Sequence, residues 1–218
     1  MKITENGRSM VEMLGVLTLV GLMSIGGMTG YSKMRAQYRI NKSIEQIEQI
    51  SAKLSALGNG VQSYKGLSSQ SAIKYGAVPT EAIVNGGANL ENPFGGSIDI
   101  AAAAFLSEDD APEGDDFQAY TISYTDLPEE ACVAMGSHNW SSGKEPHLIG
   151  LGLVSAARQL SLVEPLIYKG CSGGRTNGDT KMTACHLGET IAIPVSVSHA
   201  AAVCECPNDT CAIILKYF

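Results

Sequence analysis

No cysteine precedes residue 132 in this 218-residue chain; all six, Cys132, Cys171, Cys185, Cys204, Cys206 and Cys211, lie from there on. Basic side chains are scarce over the same part. Residues 61–218 hold eight Lys/Arg against eighteen Asp/Glu, net −10, whereas residues 1–60 hold seven against four, net +3. An acidic outer part excludes nucleic-acid binding, which needs a basic face. Catalytic constellations are lacking too. Gly143-Lys144 runs into Glu145 without phosphate-loop spacing, there is no His-Glu-x-x-His, and His138, His147, His186 and His199 are scattered. Trp140, the single tryptophan, sits in a loop-like stretch and reads as a subunit contact or as a ring buried under its own loop. No catalytic residue, cofactor or metal is assigned.

An even cysteine count confined to one part of the chain reads as a disulfide set in an oxidising compartment. The rival, a metal site from Cys204, Cys206 and Cys211 with His186 or His199, fits poorly, because one residue between Cys204 and Cys206 is short of zinc-ligand spacing. The acidic run over residues 108–116 reads as a solvated turn; it has carboxylates for calcium but not the EF-hand spacing.

What is present is concentrated at the start. Residues 1–7 are short and polar and end in Gly7. A secretory signal puts its small-residue cleavage site after the apolar core; here the small residue comes first, so a cut there leaves the hydrophobic segment on the mature chain. Residues 9–31 carry one charge, Glu12, and are long enough to cross a bilayer as a helix. A carboxylate left unpaired in lipid costs a few kcal/mol, so Glu12 needs a specific partner. A plain single-pass anchor does not explain its place inside the run.

Gly7, Arg8 and Glu12, followed by Met13-Leu14-Gly15-Val16-Leu17, resemble the processing signal and hydrophobic start of the type IV pilin superfamily. The resemblance implies that a prepilin peptidase cuts after Gly7 and methylates Arg8. It also implies that Glu12, fifth after the cut, pairs with the amino terminus of a neighbouring copy. Most members have Phe, Met or Leu where this chain has Arg8. Lys/Arg flanking the span are Lys2 and Arg8 before it and Lys33, Arg35, Arg39 and Lys42 after it, which by count favours the opposite orientation. The resemblance and the downstream cysteines place the N-terminus in the cytoplasm. Gly15, Gly21, Gly26, Gly27 and Gly30 suit close helix packing in a membrane, or a segment that stretches when copies pack.

Beyond the span, Ile40, Ile44, Ile47, Ile50, Leu54 and Leu57 form one apolar helical stripe, stopped by Gly58-Asn59-Gly60. Residues 61–90 read as loop with short helical pieces, including a turn of helix at Glu81–Val84 after Pro79. Asn92-Pro93-Phe94-Gly95-Gly96 is a turn that starts a strand and looks like the Asn-x-aromatic-Gly-Gly segment of type IVb pilins. Residues 117–124 read as a strand. Leu127 to Cys132 resembles the short helix bearing the first cysteine in that subgroup. Residues 150–163 have helical leucine and alanine spacing, residues 170–181 form a Gly-rich loop, and Ile191, Ile193, Val195 and Val197 alternate as in a strand. Residues 201–206 and 211–217 flank Pro207-Asn208-Asp209-Thr210 as a terminal hairpin.

That hairpin would face Cys206 with Cys211 and favours a disulfide there. The resemblance implies that Cys132 bridges to the C-terminal region, at Cys204; Cys171 and Cys185 would then staple the Gly-rich loop. Six cysteines allow 15 pairings, and spacing does not choose among them.

The expectation is therefore an α+β protein of the pilin fold. It has a leader over 1–7 and a helix over 8–58, transmembrane over 8–31 and amphipathic over 32–58. A globular periplasmic or extracellular domain over 59–218 then packs an antiparallel sheet on the helix, with a disulfide-bonded C-terminal region. The resemblance implies a structural subunit held in the bacterial inner membrane and then built into a helical filament. Its partners are prepilin peptidase, other copies of itself and an inner-membrane assembly platform. A type II secretion pseudopilin or minor pilin is the nearest alternative. A membrane-anchored binding or adhesion protein that never polymerises is the alternative of another class.

Overall fold

The structure, a computed structural model, describes residues 10–58, 63–103, 117–140, 148–154, 167–170, 183–186, 189–192, 194–206 and 211–217. Gly7, Arg8, the acidic run 108–116, Cys171 and most of the Gly-rich loop lie outside them, as does the side chain of Cys185. The chain forms two compact units, Met1–Arg39 and Ile40–Phe218, and the division falls within the first helix, α1 (Met10–Gly58).

In the second unit an antiparallel sheet packs on the outer part of α1. Its strands are β3 (Ile98–Ala103), β4 (Ala119–Leu127), β5 (Leu148–Val154), β6 (Ile167–Gly170), β7 (Thr183–His186), β8 (Glu189–Ala192) and β9 (Cys211–Tyr217), in the order β3-β4-β9-β5-β6-β7-β8. A separate two-stranded ribbon joins β1 (Ile83–Val84) to β2 (Asn89–Leu90). Short helices α2 (Ser69–Lys74), α3 (Glu129–Gly136) and α4 (Val197–Val203) complete the unit. The C-terminal strand β9 is central, with Ile213 opposite Tyr124 on one side and Leu153 on the other. Its near-continuous apolar run suits that place, since a strand covered on both faces does not alternate.

The core lies between this sheet and α1. Ile40, Ile47, Ile50 and Leu54 are buried as the stripe requires, but Leu57 is 43 % exposed. Ser43, Gln46, Ser51 and Ser55 are buried beside them. Three of these polar residues meet the sheet's tyrosines. The Tyr120 hydroxyl donates to the Ser51 carbonyl at 3.0 Å and lies 3.0 Å from the Ser55 hydroxyl; the Tyr124 hydroxyl donates to Gln46 Oε1 at 3.4 Å. Tyr120 also stacks on Tyr217, ring centres 5.6 Å apart. Buried phenols require such partners.

Several expectations are corrected. Residues 150–154 of the proposed helix over 150–163 lie in strand β5. Gly150 and Gly152 each weaken a helix by about 1 kcal/mol, and Leu151 and Leu153 register against Leu215 and Ile213 of β9; residues 155–166 lie outside the described set. The terminal hairpin is absent: residues 201–203 belong to α4, which Ser196 caps by accepting from the His199 amide, and β9 pairs with β4 and β5 instead. An Ala-rich stretch behind a serine cap is a helix start. The strand expected through Val197 ends at Ala192, before Pro194, which offers no ladder donor. The turn after Pro79 is a 3₁₀ turn, Thr80–Ala82, and Ile83 and Val84 go into β1.

Candidate functional site

In the first unit, every described side chain from Met10 to Ser24 is exposed. The large apolar ones are open on all sides of the helix, among them Met10 at 86 %, Leu14 at 64 %, Leu17 at 68 % and Leu22 at 67 %. Fully burying one such side chain is worth about 1.5–3 kcal/mol, so this surface is strongly driven to find lipid or other helices. Its hydroxyls are already satisfied: Thr18 donates to the Leu14 carbonyl and Ser24 to the Val20 carbonyl, each at 2.8 Å. Such back-bonding lets a helix enter apolar surroundings without a loose donor. A Cβ added at Gly15, Gly21 or Gly30 would meet nothing within 4 Å. Nothing among the described residues of the single chain requires glycine there.

Glu12 is exposed in the first turn of α1, where the helix dipole favours a carboxylate. No cation lies within ion-pair distance of it among the described residues. Among those residues no helix is long and apolar enough to cross a membrane; the side chains of residues 25–29 are not part of that set.

The second unit carries the rest of the motifs. The Asn92 segment is a lock between a turn and a strand. Asn92 is buried; its Oδ1 accepts from the Phe94 and Gly96 amides at 2.8 and 3.2 Å, and its Nδ2 donates to the Thr125 carbonyl at 2.8 Å. Gly95 has φ +96°, and a Cβ on Gly96 would collide with the Thr125 carbonyl oxygen. The motif thus holds the start of β3 against the bulge between Tyr124 and Leu127 in the β4–β9 ladder.

Two disulfides lie at the same end of β9, where Cys211 is opposite Leu127. Cys132 on α3 is bonded to Cys204 at the end of α4, Cα atoms 5.8 Å apart, and Cys206 is bonded to Cys211 at the start of β9, 5.3 Å apart. The sulfurs of Cys132, Cys206 and Cys211 lie within 4.8 Å of one another. All three are held in disulfides, so they offer no thiolate for a metal. Trp140 is buried and its Nε1 donates to the Met135 carbonyl at 2.9 Å. His138 sets its ring edge against Trp140 and faces Glu48 at 3.4 Å.

One motif escapes the sequence reading. Gly170-Cys171-Ser172-Gly173-Gly174 spells Gly-x-Ser-x-Gly, the sequence of a nucleophile elbow. An elbow is a strand-to-helix turn, whereas β6, ending at Gly170, pairs antiparallel with β7; Ser172 itself lies outside the described residues. The arrangement therefore offers packing surfaces and staples, and no built reaction centre among the described residues.

The family model described as PilS N terminal matches residues 37–215. No curated protein matches the chain. Eight chains of solved structures match. One, the crystal structure of type IV b pilin from Salmonella typhi, is 16 % identical, with 81 % of this chain and 97 % of that chain covered and a TM-score of 0.48.

Proposed function

The chain belongs to the PilS family, within the type IV pilin superfamily, and from that premise we propose that it is the structural subunit of a type IVb-like pilus. It is a pilin subunit and its family is structural. The finer course of its assembly is the proposal. Prepilin peptidase cuts after Gly7 and methylates the new amine of Arg8. The apolar helix, anchored in the inner membrane with its N-terminus in the cytoplasm, waits there. Assembly machinery in that membrane then passes it into a filament, where it packs against the helices of other copies.

The observation that carries this reading is the helix of residues 10–24, open on all sides and uncharged but for Glu12. Burial against like helices removes its water-facing area, and the cut supplies the amine that neutralises Glu12. Charge neutralisation thereby ties assembly to processing. Glycines that the single chain does not need are accounted for by close helix approach. Heterologous contacts of this kind give an open helical polymer.

The test is the N-terminal sequence and intact mass of the protein produced with and without prepilin peptidase. The reading expects a chain beginning at N-methyl-Arg8 with the enzyme and an unprocessed chain without it. An uncut chain in the presence of an active peptidase, or a start beyond Tyr31, overturns it.

A further inference from the structure

A second apolar surface is left uncovered on each copy, and the two have opposite charge. Tyr31, Met34 and Tyr38 of α1 are 68, 75 and 68 % exposed, and their spacing of three and four puts them on one helix face. Arg35 lies about 60° round the helix from the line of that face, and has no ion-pair partner among the described residues. In the Ile40–Phe218 unit, α3 and α4 bound a shallow groove of about 550 Å³, lined by Glu129, Glu130, Val133, Ala134, Ser137 and Val197. Val197 is 63 % exposed, and both glutamates are exposed at the start of α3. Residues 1–60 are net positive and residues 61–218 net negative, so the local match of charge repeats the division of the whole chain.

We propose that the α3–α4 groove of one copy receives the Tyr31–Met34–Tyr38 face of a second copy. Helix-in-groove docking reads anchors at this spacing. Tyr38 and Met34 fill the apolar floor between Val133, Ala134 and Val197, and Arg35 pairs with Glu129 at the rim. The Cys132–Cys204 bond ties α3 to the end of α4, so the two walls keep their spacing whether or not the groove is filled. Lys42, two turns further along α1, does not compete for the groove: it lies 2.8 Å from Glu81 and 3.4 Å from Glu45. The contact rests on the assembly reading above and names a part of the interface.

The test places a photo-crosslinking amino acid at Val197 in the full chain, expressed with its processing and assembly machinery. Crosslinked peptides are mapped by mass spectrometry, and filaments are scored separately by microscopy. A crosslink from Val197 to residues 31–39 of another copy is expected. Glu129→Lys should lower that crosslink about tenfold, and Glu129→Lys with Arg35→Glu should restore it to within about twofold, because like charges repel and the swap re-pairs them. Filaments whose crosslinks map elsewhere, or a Glu129→Lys chain crosslinking like the parent, overturn the groove and leave the pilin reading standing. No filament and no crosslink between copies overturns both.

Discussion

Asn92 and Thr125, 33 residues apart, are joined by a buried 2.8 Å hydrogen bond from the carboxamide nitrogen to the carbonyl oxygen. The same side chain accepts two turn amides, so its loss leaves three polar groups to find other partners. Asn92→Ala should destabilise the chain by about 2–4 kcal/mol, since an unsatisfied buried group costs 1–3 kcal/mol. Asn92→Asp keeps the acceptor but not the donor, and should fall between the two. Gly96→Ala should be worse than Gly95→Ala. The first drives a Cβ into the Thr125 carbonyl, whereas the second meets nothing within 4 Å and only strains a left-handed φ. Urea unfolding of the full chain in detergent checks the order.

The two disulfides among the described residues should contribute unequally. Cys132–Cys204 closes 72 residues and Cys206–Cys211 closes five. By loop-closure entropy, replacing the first pair with alanines should cost about 4 kcal/mol and the second about 2. Paired alanine variants, compared by denaturant midpoint, test this. Equal losses would show that packing at the crowded sulfurs, not chain entropy, sets the cost.

How far these features are legible in the sequence varies with the range of the interaction. The Ile40–Leu54 stripe is local, repeats every three or four residues, and reads correctly. Ser51 and Ser55 do not, because what buries them is Tyr120, more than sixty residues away. The strand character of residues 211–217 is plain in their composition; their place between β4 and β5 is set by non-local pairing that no short window contains. Leucine spacing misleads over residues 150–154, where the pairing with β9 overrides it. Glu12 stands out because one charge in an apolar run is conspicuous. The α3–α4 groove has no such mark: its walls come from segments some sixty residues apart, drawn together by a disulfide.

Alkali should unfold the second unit through its tyrosines. Burial raises the hydroxyl pKa of Tyr120, Tyr124 and Tyr217 far above the ordinary 10.0. The unfolded chain then releases protons above pH 10 that the native chain still holds, so stability is complete below pH 10 and falls as pH rises further. The slope should approach about 1.4 kcal/mol per pH unit for each of the three tyrosines. Tyrosinate absorbance of the three buried residues should appear together with unfolding. Tyr124→Phe should shallow the dependence by one tyrosine's share.

Glu12 separates a subunit that assembles from an anchored protein that never does. An exposed carboxylate in the first turn of α1 contributes little to the fold of the single chain, because dipole interactions at exposed sites are worth about 0.3–1 kcal/mol. Glu12→Gln and Glu12→Val should therefore leave denaturant midpoints and membrane insertion unchanged. Both remove the charge that would meet a neighbour's amine, and an amine left unpaired in apolar surroundings is costly. Filament yield should fall by more than tenfold in either variant while membrane-bound subunit accumulates. Glu12→Asp should retain part of the yield, since it keeps the charge and shortens the reach. If Glu12→Val enters filaments as well as the parent does, the carboxylate is not what admits the helix, and packing of the apolar surface alone must account for assembly.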